Sequence, residues 1–213
     1  MPFDHNDHYH PLLLREVPAG GGRALDVGCG TGRFAAALAR RGLDVDAVDR
    51  DAETVAAARR LHGGGPGPGR LSFRHADITR VPPPPATYDV ISCVASLHHI
   101  PFATLAALRD ALRPGGVLLV LGCYREQSLT DHLTSVAAVA VNTGYRTATA
   151  VREALTRPSP PRRPAAPTTA PAMSLEEITE GARDLLPGSE IRRLLLWRYL
   201  LIHRTPPGPP SRR

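Results

Sequence analysis

The run Ala24-Leu25-Asp26-Val27-Gly28-Cys29-Gly30-Thr31-Gly32-Arg33-Phe34 constrains this chain more than any other stretch. Ala24, Leu25 and Val27 suit an inner parallel strand, which is covered on both faces and therefore apolar throughout. Gly28, Gly30 and Gly32 then allow a tight turn and let the backbone approach a ligand closely. Phe34, Ala35, Ala36, Leu38 and Ala39 open a helix whose first N–H groups face that same ligand. The spacing is Gly-x-Gly-x-Gly. Arg33 stands where the dinucleotide-binding fingerprint needs its third glycine, which argues against a nicotinamide enzyme. An acid inside the strand, Asp26, immediately precedes the turn.

Strands and helices alternate after this turn. Residues 45–48 read as a strand ending at Asp49, and 52–61 as a helix. The Gly- and Pro-rich residues 63–69 form a surface loop. Residues 71–76 are a strand ending at Asp77, and 88–94 another. Residues 102–112 read as a helix stopped by Pro114-Gly115-Gly116, and 117–121 as a fifth, wholly apolar strand. This rhythm implies an α/β fold. It is a Rossmann-like, doubly wound, mostly parallel sheet with helices on both faces and a ligand at the carboxyl ends of the strands.

The regular pattern ends after Gly122. Residues 129–141 and 147–155 can be helices. Residues 157–171 are too rich in proline and too poor in apolar side chains to pack, and read as a loose loop. Ser174 and Glu177 form a capping-box signature for the next helix. Residues 191–202 close the sheet antiparallel to the rest, as one strand or as a hairpin. The expected organisation is one domain over 1–205. Residues 1–20 would be its cap, 123–172 a lid insertion containing the 157–171 loop, and 206–213 a disordered tail.

Three acids, Asp26, Asp49 and Asp77, fall at the ends of three successive strands. Together with the glycine turn they resemble the class I S-adenosylmethionine (SAM)-dependent methyltransferases, and are similar to small bacterial enzymes that methylate small molecules. The resemblance implies SAM as co-substrate. Asp26 would hold its methionine end, and the turn through Gly28, Cys29, Gly30 and Gly32 would pass beneath the ribose. Asp49, with the backbone around Arg50, would accept the ribose hydroxyls. Asp77 would accept the adenine amine, with Ile78 packed on the ring. Read without the resemblance, Asp49 is a helix cap and Asp77 a turn residue.

Residues 88–100 run Tyr-Asp-Val-Ile-Ser-Cys-Val-Ala-Ser-Leu-His-His-Ile, and their carboxyl end should face the transferred methyl. The sequence lacks the Asn or Asp, prolines and aromatic that nucleobase amine methyltransferases place there. Cys93 reads as a small buried thiol, which the resemblance would place at the cofactor. His98 and His99 are the candidate acid–base groups, or one of them only holds the loop. Tyr9, His10 and Tyr124 are candidate substrate contacts. Alternatively the N-terminus is a polar turn before Leu12, Leu13 and Leu14 dock. His5 and His8 have helical spacing, but no acid cluster accompanies them, so no metal is expected.

Composition narrows the remaining classes. The net charge is +6, yet the chain has no lysine; its 26 basic residues are all arginine, and Arg157, Arg162, Arg163, Arg212 and Arg213 lie in proline-rich or terminal segments. With aromatics at 5%, the stacking surface of a nucleic-acid binder is missing, and an RNA or protein methyltransferase is the weaker reading. A SAM-binding protein without activity is a further alternative. Cys29, Cys93 and Cys123 lack metal spacing and suit a reducing, cytoplasmic setting. There is neither a leader-like N-terminus nor an apolar run approaching the ~18 residues of a membrane helix. The sequence leaves the oligomeric state open.

Overall fold

The structure, a computed structural model, describes residues 5–65, 67–126 and 171–208. The expected helices at 129–141 and 147–155, the proline-rich loop and nearly all of the lid lie outside these residues. Most of the 206–213 tail does too.

Seven strands form one sheet: β1 (Gly22–Val27), β2 (Leu43–Asp49), β3 (Leu71–His75), β4 (Tyr88–Val94), β5 (Leu112–Cys123), β6 (Glu190–Leu194) and β7 (Arg198–Arg204). Their spatial order is β3-β2-β1-β4-β5-β7-β6. The first five pair in parallel, and β7 lies antiparallel between β5 and β6. Helices α1 (His5–Glu16), α2 (Arg33–Arg40), α3 (Ala52–His62), α4 (Thr104–Asp110) and α5 (Leu175–Leu185) complete the described elements.

The two-residue side-chain period of a strand sorts the core. On β5, Val117, Leu119 and Leu121 join α1, α2 and α3 on one face, while Leu118 and Val120 join α4 and α5 on the other. Both faces are therefore sealed, as a parallel sheet requires. The strand order reverses between β1 and β4, which leaves a crevice above their carboxyl ends.

Several sequence expectations change. The helix expected over 102–112 is only Thr104–Asp110, because Leu112 already pairs with Tyr88. Pro114-Gly115-Gly116 is not a helix stop but an irregular stretch of β5, where pairing jumps from Tyr88–Leu112 to Val90–Val117. There the Gly115 N–H donates to the Pro206 carbonyl and the Gly116 N–H to Thr205 Oγ1. The polar N-terminus is a helix, α1, despite Pro11 within it. Its Leu13 and Val17 are buried against the sheet, and that burial outweighs poor local propensity. Finally, 191–202 is a hairpin: Leu196 and Trp197 both take φ 59°, and the turn sends β6 back parallel to β5. The capping box is present as expected, with Ser174 and Glu177 each accepting the other's backbone N–H.

Candidate active site

The turn after β1 is built by its neighbours. Backbone N–H groups of Gly28 and Cys29 both donate to the Val48 carbonyl, at 2.8 and 3.0 Å. Gly28 takes φ +67°, and a Cβ there would collide with the Ser96 side chain. Ser96 is buried and donates its hydroxyl to the Val27 carbonyl at 2.6 Å. Gly30 is different. It has φ +54°, but a Cβ on it would meet nothing within 4 Å. Gly28 is thus a packing requirement, whereas Gly30 borders open space. Gly32 starts α2 and lies against the Phe73 ring.

The register of β1 and β4 sets Asp26 directly beside Ser92, and the Ser92 hydroxyl donates to Asp26 Oδ1 at 2.6 Å. Asp26 is buried, and burial pushes its carboxyl up to about 6; the Asp49 charge adds to the rise, while the Ser92 hydrogen bond opposes it. A buried acid so raised is poised for a cation, which would restore its charged form.

Asp49, at the end of β2, accepts the Gly30 N–H at 2.9 Å and the Asp51 N–H at 3.0 Å. Helix capping falls instead to Asp51, which accepts the Thr54 N–H at 2.7 Å. Asp49 therefore holds the glycine turn, and its remaining lone pairs are available to further donors. Asp77 accepts both the N–H and the hydroxyl of Thr79, and these bonds hold its carboxyl below the usual range. It is the turn residue that plain sequence reading allowed. Ile78 beside it is buried with Leu25, Val27 and Val48. Arg50 donates to the His99 carbonyl at 3.4 Å, so the β2 end and the loop after β4 meet.

His98 and His99 form a single 3₁₀ turn after β4, their rings 4.0 Å apart. Burial, the neighbouring His99 and Arg198 push His98 down to about 4, and burial with Arg50 lowers His99. Both imidazoles are neutral at pH 7 and able to accept a proton. Among the described residues, His98 Nδ1 is buried without a hydrogen-bond partner.

Not every expected residue joins this group. Cys93 is wholly buried in the core between β4 and α4, its thiol pushed up to about 12 chiefly by that burial, so it does not line the crevice. Cys29 stays at the turn, its thiol also raised by burial. Tyr9 is 8% exposed and donates to the Leu195 carbonyl at 2.8 Å, tying α1 to the hairpin. Tyr124 is buried beneath the Arg193 guanidinium. Of the three expected substrate contacts only His10 remains near the turn, packed on Phe34 with Asp7 3.7 Å away. Asp7 also pairs with Arg33, which clips α1 to the first turn of α2. Ser92 and Ser96 escaped the sequence reading. Their only signal was a hydroxyl at each of two positions in the apolar run that follows Asp89. Among the described residues no His, Cys, Asp or Glu cluster could hold a metal, and no helix is long and apolar enough to cross a membrane.

Residues 24–116 match a family model described as a methyltransferase domain. An uncharacterized methyltransferase of Mycobacterium tuberculosis is 37% identical over 211 residues, covering 97% of this chain and 98% of that protein. The chain belongs to this methyltransferase family. A ubiquinone biosynthesis O-methyltransferase of Xylella fastidiosa is 40% identical, but over only 51% of this chain and 44% of its own. In fold, the methyltransferase resembles a SAM-dependent methyltransferase from Aquifex aeolicus (TM-score 0.59, 18% identity, 92% of this chain and 88% of that one). It also resembles the [4+2]-cyclase SpnF (TM-score 0.65, 19% identity, 95% and 81%). SAM suits the methyltransferase's own donor set: the crevice offers a buried raised acid, a second carboxylate and an open glycine turn to a molecule bearing an ammonium and ribose hydroxyls.

Proposed function

We propose that this methyltransferase moves the SAM methyl to an oxygen, nitrogen or carbon nucleophile of a small molecule, releasing S-adenosylhomocysteine. The glycine turn after β1, with Asp49 on the Gly30 N–H, Asp26 buried just ahead of the turn and open space beside Gly30, carries the reading. When bound, SAM supplies a methyl group already activated by its sulfonium. The chain's residues then have to bind, orient and exclude water rather than generate a strong nucleophile.

Asp26 receives the ammonium, and Asp49 the ribose hydroxyls through the lone pairs left by Gly30 and Asp51. Asp77 is oriented by Thr79 and, with Ile78, stands at the adenine end. His98, whose ring is neutral and able to accept a proton, takes the acceptor's proton. His99, whose carbonyl meets Arg50, fixes the loop. Three free thiols fit a reducing, cytoplasmic setting.

Calorimetry with S-adenosylhomocysteine tests the cofactor assignment. Asp49→Ala should weaken binding by about 1–3 kcal/mol, because charged acceptor bonds are lost. Equal affinity in variant and wild type would remove Asp49 from the site.

A further inference from the structure

The glycine turn is held by α3 and β3 as well as by β2. His62, the last residue of α3, places its imidazole Nε2 3.1 Å from the Thr31 carbonyl. A carbonyl only accepts, so this nitrogen carries the proton and donates. The imidazole stacks on the Phe73 ring of β3, with centroids 6.1 Å apart. A Cβ on Gly32 would collide with that ring and come within 3.2 Å of His62 Cδ2. Gly32 is therefore a glycine because two rings occupy the place of its side chain. Phe73 is itself fixed, since Arg59 of α3 donates to its carbonyl from Nε at 3.2 Å and from Nη2 at 2.6 Å. α3 and β3 thus form one ledge against the turn.

We infer that His62 is a positioning residue for the cofactor site: its hydrogen bond to Thr31 sets the turn backbone against which the cofactor lies. The inference rests on the methyltransferase reading above and adds a residue to it. The Gly32 N–H donates to the Cys29 carbonyl at 2.9 Å, closing a four-residue turn with Gly30 and Thr31 at its centre. The Thr31 carbonyl and the Gly32 N–H belong to one planar peptide and point in opposite directions. One edge of that plane is tied to Cys29 within the turn, and the other to His62, 31 residues away. Asp49 holds the Gly30 N–H. Without the His62 bond, the Thr31–Gly32 peptide is anchored at one edge only. It is flanked by glycines at positive φ, which rotate at little steric cost. A ligand would then have to order the turn itself, and its affinity falls by that entropy. The Nε2 bond goes to this turn rather than to the last carbonyls of α3, where a basic side chain that only stabilised its own helix would place it.

The test compares two variants of the full chain. His62→Phe keeps a ring over Phe73 and removes the donor, whereas His62→Gln gives up the ring and keeps a side-chain N–H. Two quantities are measured: S-adenosylhomocysteine affinity by calorimetry, and backbone hydrogen exchange of residues 28–32 in the ligand-free protein. His62→Phe should weaken binding about fivefold and speed exchange in the turn by a similar factor, with exchange in β5 as in wild type. His62→Gln should stay within about twofold of wild type in both. Full affinity in His62→Phe overturns the inference. So does an equal loss in both variants, which would assign the effect to the ring. Exchange that quickens throughout the sheet also overturns it, because His62 would then serve stability alone. A wild-type chain that takes no S-adenosylhomocysteine, but whose turn still exchanges faster in His62→Phe and not in His62→Gln, keeps the hold of His62 on the turn and overturns the cofactor reading instead.

Discussion

Gly28 and Gly30 sit two residues apart, both at positive φ, yet they should respond oppositely to the same substitution. Gly28→Ala drives a methyl into the buried Ser96 and should cost about 2–5 kcal/mol through strain and overpacking. Thermal melting of the ligand-free protein reads that loss. Gly30→Ala has room, so it should lose only about 1–2 kcal/mol of stability from its backbone, while S-adenosylhomocysteine binding falls about tenfold. Full affinity in Gly30→Ala would show the open space is not the ligand's. Asp26 makes a pH-dependent prediction. Burial raises its carboxyl from an ordinary 3.8 to about 6, so the folded state holds a proton that the unfolded chain releases. Its stabilising contribution is complete below about pH 4 and is lost as pH rises through about 6, a cost on the order of 3 kcal/mol at pH 8. Asp26→Asn should therefore melt higher than wild type at pH 8 and not at pH 4. The same variant should bind S-adenosylhomocysteine more weakly at pH 8, because no carboxylate meets the ammonium. A variant no more stable than wild type at pH 8 would contradict the raised carboxyl.

At the scale of elements, local signals were strongest where backbone chemistry decides them. The capping box of α5 was visible as Ser174 and Glu177, and its geometry is fixed by two reciprocal hydrogen bonds. Ser174→Ala should cost about 1 kcal/mol, or a fall of about 2–4 °C in melting temperature, with cofactor affinity untouched. An unchanged melting curve would mean that packing of Ile178 and Ala182 alone holds the helix. The hairpin between β6 and β7 shows the converse. Its turn residues are Leu196 and Trp197, not the Asn-Gly pair that announces such a turn, so no local rule marked it. Leu196 is fully buried in the α1 side of the core, and Tyr9 holds the neighbouring Leu195 carbonyl. Tertiary packing thus holds two non-glycine residues in left-handed backbone. α1 was obscured for a related reason: its register is set by Leu13 and Val17 on the sheet and by Asp7 on Arg33, contacts distant in sequence.

For the molecule as a whole, ligand linkage gives the simplest check. S-adenosylhomocysteine at about 100 times its dissociation constant should add about 2.7 kcal/mol, raising the melting temperature by about 5–10 °C. NAD at the same concentration should leave the curve unmoved, because the turn has Arg33 where a dinucleotide site has glycine. A shift with NAD alone would reverse the cofactor reading. The strand–turn–helix, the alternation of the sheet, and the acids at the ends of β1, β2 and β3 are legible in the chain alone. Those follow from turn sterics, side-chain periodicity and capping, which act over a few residues. What each of those residues touches depends on the assembled fold. It put Cys93 into the core, where one step along a strand changes face. It set Ser92 beside Asp26 and Ser96 against Gly28 by pairing β1 with β4, with the Ser92–Asp26 and Ser96–Val27 hydrogen bonds spanning 66 and 69 residues. It brought Ile178 of α5 to a cavity beside His98. Register and long-range packing are properties of the assembled sheet, and no short window of the chain contains them.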